Sequence, residues 1–186
     1  MAKHDIPTPQ ELRKLLRYEP ETGKLFWKRR TPDMFNECSQ GRERRCAIWN
    51  TKFAEKEALA SSEGRGSLHG RIFNKAYKAH RVAWALYNGE WPTHEIDHIN
   101  HIPNDNRIAN LRCVIGRENS RNLPMRIDNN SGATGVAWHK KAGKWRARIK
   151  VDRDLHLGLF DTFEDALAAR RSAEAKYKFH PNHGRD

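Results

Sequence analysis

Thiols, long apolar runs and negative charge are all scarce in this 186-residue chain. There are three cysteines, Cys38, Cys46 and Cys113, and no two are spaced as Cys-x-x-Cys. That pattern excludes a zinc ribbon, which needs clustered thiolates, and favours reduced thiols in a cytosol-like compartment. The opening MAKHDIPTPQELRK holds no apolar stretch of signal-peptide type. No apolar run approaches the ~20 residues needed to span a bilayer, so a membrane partner is not expected. Hydrophobic residues make up 37% of the chain and mean hydropathy is −0.94, so any core must be modest and divided. Asp and Glu total 23 against 35 Lys and Arg, a formal charge of +12. Such an excess draws polyanions over long range, and nucleic acid is the commonest large polyanion in a cell. A solvated basic surface is the plain alternative.

What is present falls into four stretches. In residues 1–61, Thr8 can cap a helix with Pro9 at its first position and Glu11 completing a capping box. Leu12, Leu15 and Leu16 share one face of that helix, and EPETGKLFW reads as a turn into a strand. From Arg29 to Ala47 no period is visible, and a basic irregular segment is expected. Residues 62–123 alternate short strand-like pieces with turns, pass through an apolar run at Val82 to Tyr87, and end in strand, loop, strand and short helix. Residues 124–131 carry Pro, Asn and Gly with little apolar content and read as a linker. Residues 132–181 offer three strand-like pieces and an Ala-rich helix.

The chemistry concentrates in EIDHINHIPNDNRIANLRCVIGRENSRN, residues 95–122. Two antiparallel strands with a helix folded over them would bring Asp97, His98 and Asn119 together. A carboxylate and an amide oxygen are hard ligands, suited to Mg²⁺ or Mn²⁺ rather than zinc. Mg²⁺ keeps several waters, so two protein ligands suffice. Histidine side chains ordinarily titrate near neutrality, and one beside the metal can take a proton from attacking water. Taken singly, each of these residues is more often structural: Asn and Asp in such loops usually make Asx turns. Their joint spacing carries the signal. His94 and His101 are tempting extra ligands, but a zinc site would want further Cys or His at fixed spacing, and Cys113 is the only thiol nearby. Arg81 can hold phosphate, and His80 reads equally well as a structural histidine.

DHINHIPNDNRIANLRCVIGRENSRN closely resembles the HNH endonuclease motif of the phage and intron-homing branch. The pattern runs Asp-His, a loop, Asn-Arg-x-x-Asn-Leu-Arg, then Asn-x-x-Asn. The upstream KAHRVAWALYNGEWPTHE is similar to the segment that precedes it in such proteins. The resemblance implies a ββα-metal unit with four catalytic positions: His98 as general base, Asp97 and Asn119 as metal ligands, and Asn110 as the asparagine that fixes the loop. The last motif position holds Asn119 where the motif's name calls for histidine. A preference for Mg²⁺ or Mn²⁺ over Zn²⁺ or Ni²⁺ follows.

Further on, KWRARIKV alternates strictly: Arg146, Arg148 and Lys150 share one strand face, Trp145, Ala147, Ile149 and Val151 the other. In the following helix Phe163, Ala166, Ala169, Ala173 and Tyr177 recur at steps of three and four, a stripe of small residues for lying close on a sheet. The Gly-Val, Trp-x-Ala-x-Ile, Leu-Gly-x-Phe and Glu-Asp-Ala features of this segment resemble an AP2 domain. The resemblance implies a sheet face in the DNA major groove, with Arg146 and Arg148 on phosphate or guanine. Lys150 shares that face, and Trp138, His139 and Lys140 are secondary candidates.

The expected fold is α+β: a central ββα-metal unit, then a small three-stranded antiparallel sheet packed on one helix. The expected function is metal-dependent hydrolysis of phosphodiester bonds in double-stranded DNA, in the cytoplasm (of the host, if phage-encoded), in a homing or mobile-element role. No obligate protein partner is evident. The rivals are a non-catalytic DNA-binding regulator on a degenerate HNH scaffold and an RNA-binding or RNA-cleaving protein. The joint presence of Asp97, His98, Asn110 and Asn119 speaks against the regulator.

Overall fold

A computed structural model describes residues 6–37, 39, 41–64 and 66–185, without the side chains of Arg117 and Glu118. Cys38 lies outside the described residues. The chain is a mixed α and β structure with several small sheets, and it divides into two compact units between Cys113 and Val114.

In the first unit α1 (Pro9–Leu15) starts as its sequence dictates: the Glu11 N–H donates to Thr8 Oγ1 at 3.2 Å and the Thr8 N–H to Glu11 Oε2 at 2.7 Å. The antiparallel hairpin β1 (Leu16–Glu19) and β2 (Lys24–Trp27) follows. Next come α2 (Arg42–Phe53) and the meander β3 (Ser61–Glu63), β4 (Ser67–Ile72) and β5 (Lys75–Lys78). The apolar run is α3 (Ala79–Asn88), closed by Gly89 in the left-handed conformation at φ 80°. Leu12, Leu16, Leu25, Ile72 and Val82 form the main core. Then β6 (Glu95–His98) pairs with β7 (Leu111–Val114), and Ile96 and Leu111 pack with Ala83 of α3 in a smaller cluster.

Helix α2 corrects the expectation of an irregular segment up to Ala47. Its period is invisible because only Cys46 is buried, while Ile48 is 54% exposed. Besides Trp49, which meets Trp27 edge-on, the helix is held by polar contacts: Asn50 Nδ2 and Cys46 Sγ both donate to the Arg30 carbonyl, at 2.9 and 3.1 Å. An apolar stripe cannot reveal a helix docked in this way.

The second unit begins with α4 (Gly116–Ser120) and centres on the antiparallel sheet β8 (Val136–His139), β9 (Lys144–Lys150) and β10 (Asp154–Phe160), in the order β10-β9-β8, with α5 (Phe163–Lys176) against it. Ala147 and Ala166 are fully buried and pack with Val136, Trp145 and Phe163. One member of the helix face is unexpected: Arg170 is 4% exposed. It donates to Glu174 Oε1 and to the Arg148 carbonyl, both at 2.7 Å, and its guanidinium lies 5.5 Å from the Phe179 ring centre. A buried charge must be paired in this way.

Residues 124–131, read as a linker, are tied into this unit. Ser131 Oγ donates to the Val136 carbonyl at 2.6 Å and Asn129 Nδ2 to the Ala133 carbonyl at 3.1 Å. The C-terminal tail returns to the preceding stretch, with His180 and Gly184 N–H groups donating to Arg121 and Leu123 carbonyls at 3.0 and 2.9 Å. Turn-forming composition therefore marks irregular backbone here without marking a free connection. Among the described residues no helix is long and apolar enough to cross a membrane.

Candidate active site

Strand β6 ends at His98 because the next residues are turn formers, and His101 sits in the left-handed region at φ 62°. The loop is then ordered by its own side chains. Asn110, 7% exposed, accepts the Asn100 N–H on Oδ1 at 3.0 Å and donates from Nδ2 to the Asp105 carbonyl at 2.8 Å. One amide thus ties two points of the loop, at Asn100 and Asp105. Asp105 accepts from Arg107 Nε at 2.7 Å and from Asn100 Nδ2 at 2.6 Å. Those bonds, Arg107's foremost, hold its carboxyl down to about 2.

Asp97 and His98 leave the strand toward different partners. Asp97 Oδ2 accepts from Arg112 Nε and Nη2 of β7, at 2.9 and 2.7 Å. The His98 Nε2 lies 3.0 Å from the side-chain oxygen of Asn106, a residue 1% exposed. An amide oxygen only accepts, so with the Asn106 amide in this orientation a neutral His98 carries its proton on Nε2, and Nδ1 is the basic nitrogen. The His80 ring stands edge-on to His98, with centres 5.3 Å apart and planes at 89°. Burial, followed by the charges of His98, Arg81 and Lys78, pushes His80 down to about 4. It is neutral at pH 7 and packs against His98 without adding charge.

Asn106 is the candidate site residue that the sequence conceals. It reads as one turn former among several, and only its burial separates it from Asn104. The N-terminal hairpin supports it from behind. Tyr18 Oη donates to the Asn106 carbonyl at 2.7 Å, and the Ile108 N–H donates to the Pro20 carbonyl at 3.2 Å. Gly23, at φ 74°, comes so close that a Cβ there would meet the Arg107 nitrogen at 2.4 Å. Residues 1–61, to which the sequence assigned no site, thus buttress the loop that carries His98.

Arg81 was expected on phosphate. Two of its donors go to backbone instead, Nη1 to the His94 carbonyl at 3.0 Å and Nη2 to that of Pro92 at 3.1 Å. It braces the approach to β6. Asn119 lies on α4, in the second unit, where its N–H bonds the Ile115 carbonyl at 3.1 Å. Its approach to Asp97 therefore belongs with the proposal below.

In the second unit Arg148 and Lys150 are exposed on one face of β9, and Ala147 and Ile149 are buried on the other. Arg146 is half-buried between Ala137 and Leu159 of the flanking strands. Trp138 lies directly opposite Trp145, with ring centres 5.5 Å apart. Residues paired across strands share a face, so Trp138, half exposed, sits on the side away from the three basic residues. Lys140 is exposed in the turn after β8.

The HNH endonuclease family model matches residues 77–121, from Tyr77 in β5 to just beyond α4. "Protein 3.8" of Escherichia phage T7 is 34% identical over 85 residues, covering 45% of this chain and 70% of that protein. The chain belongs to the HNH endonuclease family. At the level of the HNH family it is a nuclease with DNA as substrate. No solved structure matches. The matched HNH stretch takes in His80 and Arg81 as well as Asp97, His98, Asn110 and Asn119.

HNH nucleases generally depend on a divalent metal, and the donor chemistry here fits a hard one. Among the described residues no group of three or more His, Cys, Asp and Glu is placed to hold a metal. Mg²⁺ does not require such a group, since one or two protein oxygens with water are enough. The Asp97 carboxylate, beside His98 on β6 and bridged by Arg112, is one hard donor in the first unit.

Proposed function

We propose that this chain is a metal-dependent DNA endonuclease in which His98 is the general base and Asp97 and Asn119 hold Mg²⁺, or Mn²⁺ in its place. The observation that carries this reading is the bond between His98 Nε2 and the buried Asn106 amide, which leaves Nδ1 as the nitrogen that accepts a proton. Water attacks the scissile phosphorus and gives its proton to His98 Nδ1, and the bond from phosphorus to the 3′ oxygen breaks. Asn106 keeps the productive tautomer and disperses the positive charge that develops on the ring. Asn110 holds the loop in place throughout. The cation, when bound, supplies charge to offset that on the phosphate and the departing oxygen. A single site of this kind nicks duplex DNA; a double-strand break takes a dimer or a second binding event.

The second unit is assigned an AP2-like role, with Arg148, Lys150 and Arg146 on DNA from the outer face of β9 and Lys140 beside them. Trp138 contributes from the sheet's margin. A homing or mobile-element role is consistent with a phage relative. The test is incubation of supercoiled plasmid with Mg²⁺, with EDTA and His98→Ala as controls. Wild-type nicking that both controls abolish supports the reading. No nicking of any DNA favours a non-catalytic DNA-binding regulator, and nicking that survives His98→Ala removes the base assignment.

A further inference from the structure

Helix α2, with 12 residues, gives the interior one buried side chain, Cys46, yet it is firmly mounted. Cys46, Trp49, Asn50 and Phe53 recur at steps of three and four and make its inner face. Asn50 accepts the Arg30 N–H on Oδ1 and donates from Nδ2 to the Arg30 carbonyl, each at 2.9 Å. The Arg30 guanidinium lies 3.8 Å from the Trp49 ring centre, and the Phe53 ring is 5.4 Å from Trp49. Beyond the helix the chain is pinned to β2: the Glu55 N–H donates to the Trp27 carbonyl at 2.8 Å, and the Trp27 N–H to that of Lys56 at 3.0 Å. The inner face is thus fully committed, and whatever the helix does beyond packing must come from its outer face.

That outer face is Arg44, Arg45, Ile48, Thr51 and Lys52, again at steps of three and four and all exposed. It holds three cations and no acid. The one acid of the helix, Glu43, lies off this face, and Glu55 beyond its end is turned to Arg17 at 4.0 Å. The contacts its cations do make are slight: Arg45 Nη1 reaches the Asn36 carbonyl at 3.3 Å, and Lys52 Nζ lies 5.2 Å from the Phe53 ring centre. A helix face meant only for water intersperses both signs, so that Glu and Lys four apart support each other. This one is single-signed around Ile48, which is 54% exposed. Charge of one sign around an apolar centre suits a polyanion's groove, where cations meet phosphate and an apolar side chain meets a thymine methyl. From Arg44 to Lys52 the helix rises roughly 12 Å, about the width of the B-DNA major groove.

We propose that the outer face of α2 enters the major groove of the duplex DNA substrate beside the point of cleavage, with Arg44 and Arg45 on phosphates of one rim, Lys52 on the other, and Ile48 against base edges. Strand β2 links this helix to the His98 loop. Its Trp27 end carries α2, and Gly23, just before its other end, lies against Arg107 and Asn106. Roughly 13 Å of extended chain separates the two ends. A helix seated in the groove therefore sets the distance from that groove to His98. Its place beside the cleaved bond rests on the proposed role of His98; its contact with DNA does not.

Full-length protein in EDTA is titrated by fluorescence anisotropy, over a range of salt, against a blunt DNA duplex and an RNA duplex of the same sequence. Ile48→Glu is the decisive variant. On a solvated face it adds a pair with Lys52 four residues on and is harmless. In the groove it should weaken DNA binding on the order of tenfold or more, with the thermal midpoint unchanged. Arg44→Ala with Lys52→Ala should lower the salt slope for DNA by about 1.8, the counterion release of two phosphate contacts. Lys14→Ala with Lys75→Ala removes the same charge from exposed positions on α1 and β5, and should change the slope far less. Duplex RNA, whose deep and narrow major groove side chains cannot read, should lose little with Ile48→Glu. Ile48→Glu binding DNA within a few-fold of wild type overturns the proposal, as does a slope loss no larger than the control's or an equal loss on RNA. Plasmid nicking by the wild type in Mg²⁺ separates the two readings. Nicking with DNA binding indifferent to Ile48→Glu keeps the nuclease and removes the helix; sensitivity to Ile48→Glu without nicking does the reverse.

Discussion

The loop that carries His98 and the sheet of the second unit are both small, and they are held together by opposite means. The loop relies on buried amides: Asn106 and Asn110 are 1% and 7% exposed, and each of their side chains bonds a particular atom. The sheet relies on apolar alternation, with Ala147 and Ile149 fully buried between exposed Arg148 and Lys150. Alternation tolerates exchange of one apolar residue for another, whereas a buried amide has no substitute of equal shape and bonding. The difference teaches where function is sensitive: mutations in the sheet should register as stability, and mutations in the loop as rate.

The sharpest test of that division is His98→Ala, which should lower the nicking rate by about 10²–10⁴-fold with little change in thermal midpoint. A rate within a few-fold of wild type would place the base elsewhere. Ile149→Ala should do the opposite, with a loss of about 2–5 kcal/mol in denaturant unfolding of the second unit and no selective effect on the chemical step. Gly23→Ala tests the buttress from the N-terminal hairpin. Its Cβ meets backbone at 2.4 Å, so a cost of about 1–3 kcal/mol is expected, with slowed nicking at saturating DNA. A fully active, fully stable Gly23→Ala protein would show that the hairpin does not set the loop.

Metal choice bears on the same comparison, since the proposed donors are hard oxygens: nicking in Mg²⁺ or Mn²⁺ should exceed that in Zn²⁺, and the reverse order would contradict the Asp97 and Asn119 assignment. The smallest effect is on pH. His80 is pushed down from 6.5 to about 4 by burial, so over that window the unfolded chain takes up a proton that the folded chain refuses. Stability of the first unit should fall as pH drops from 6.5 toward 4, and His80→Phe should remove part of that slope. Asp105, lowered from 3.8 to about 2 mainly by Arg107, stabilises the loop above about pH 4 and loses that contribution only as pH falls toward 2. An unchanged slope in His80→Phe would show that other groups govern the acid limb.

Much of this was legible in the chain itself. The capped helix at Thr8, the β9 alternation and the Ala-rich helix follow from local rules of spacing, whereas the loop-fixing part of Asn110 came only from the resemblance to the HNH motif. Helix α2 escaped because it docks through Asn50 and Cys46 rather than through an apolar stripe. Arg170 escaped because an arginine inside an alanine face reads as solvent-facing until its partners, Glu174 and the Arg148 carbonyl, are in place. Trp138 was only a secondary candidate in the sequence, and its pairing with Trp145 places it on the face away from Arg146.

What the sequence determined alone is the set of candidate groups: Asp97 next to His98, the amides spaced along the loop, the basic excess and the alternating strand. These are properties of neighbouring residues, and short-range spacing is enough to specify them. Which residue meets the His98 ring was decided only by tertiary structure, because that depends on which of several similar asparagines is buried against it. The same holds for the N-terminal hairpin, whose Tyr18 meets Asn106 across 88 residues of chain. Burial and long-range hydrogen bonding select among residues that look alike in sequence, and that selection exists only once the chain has folded.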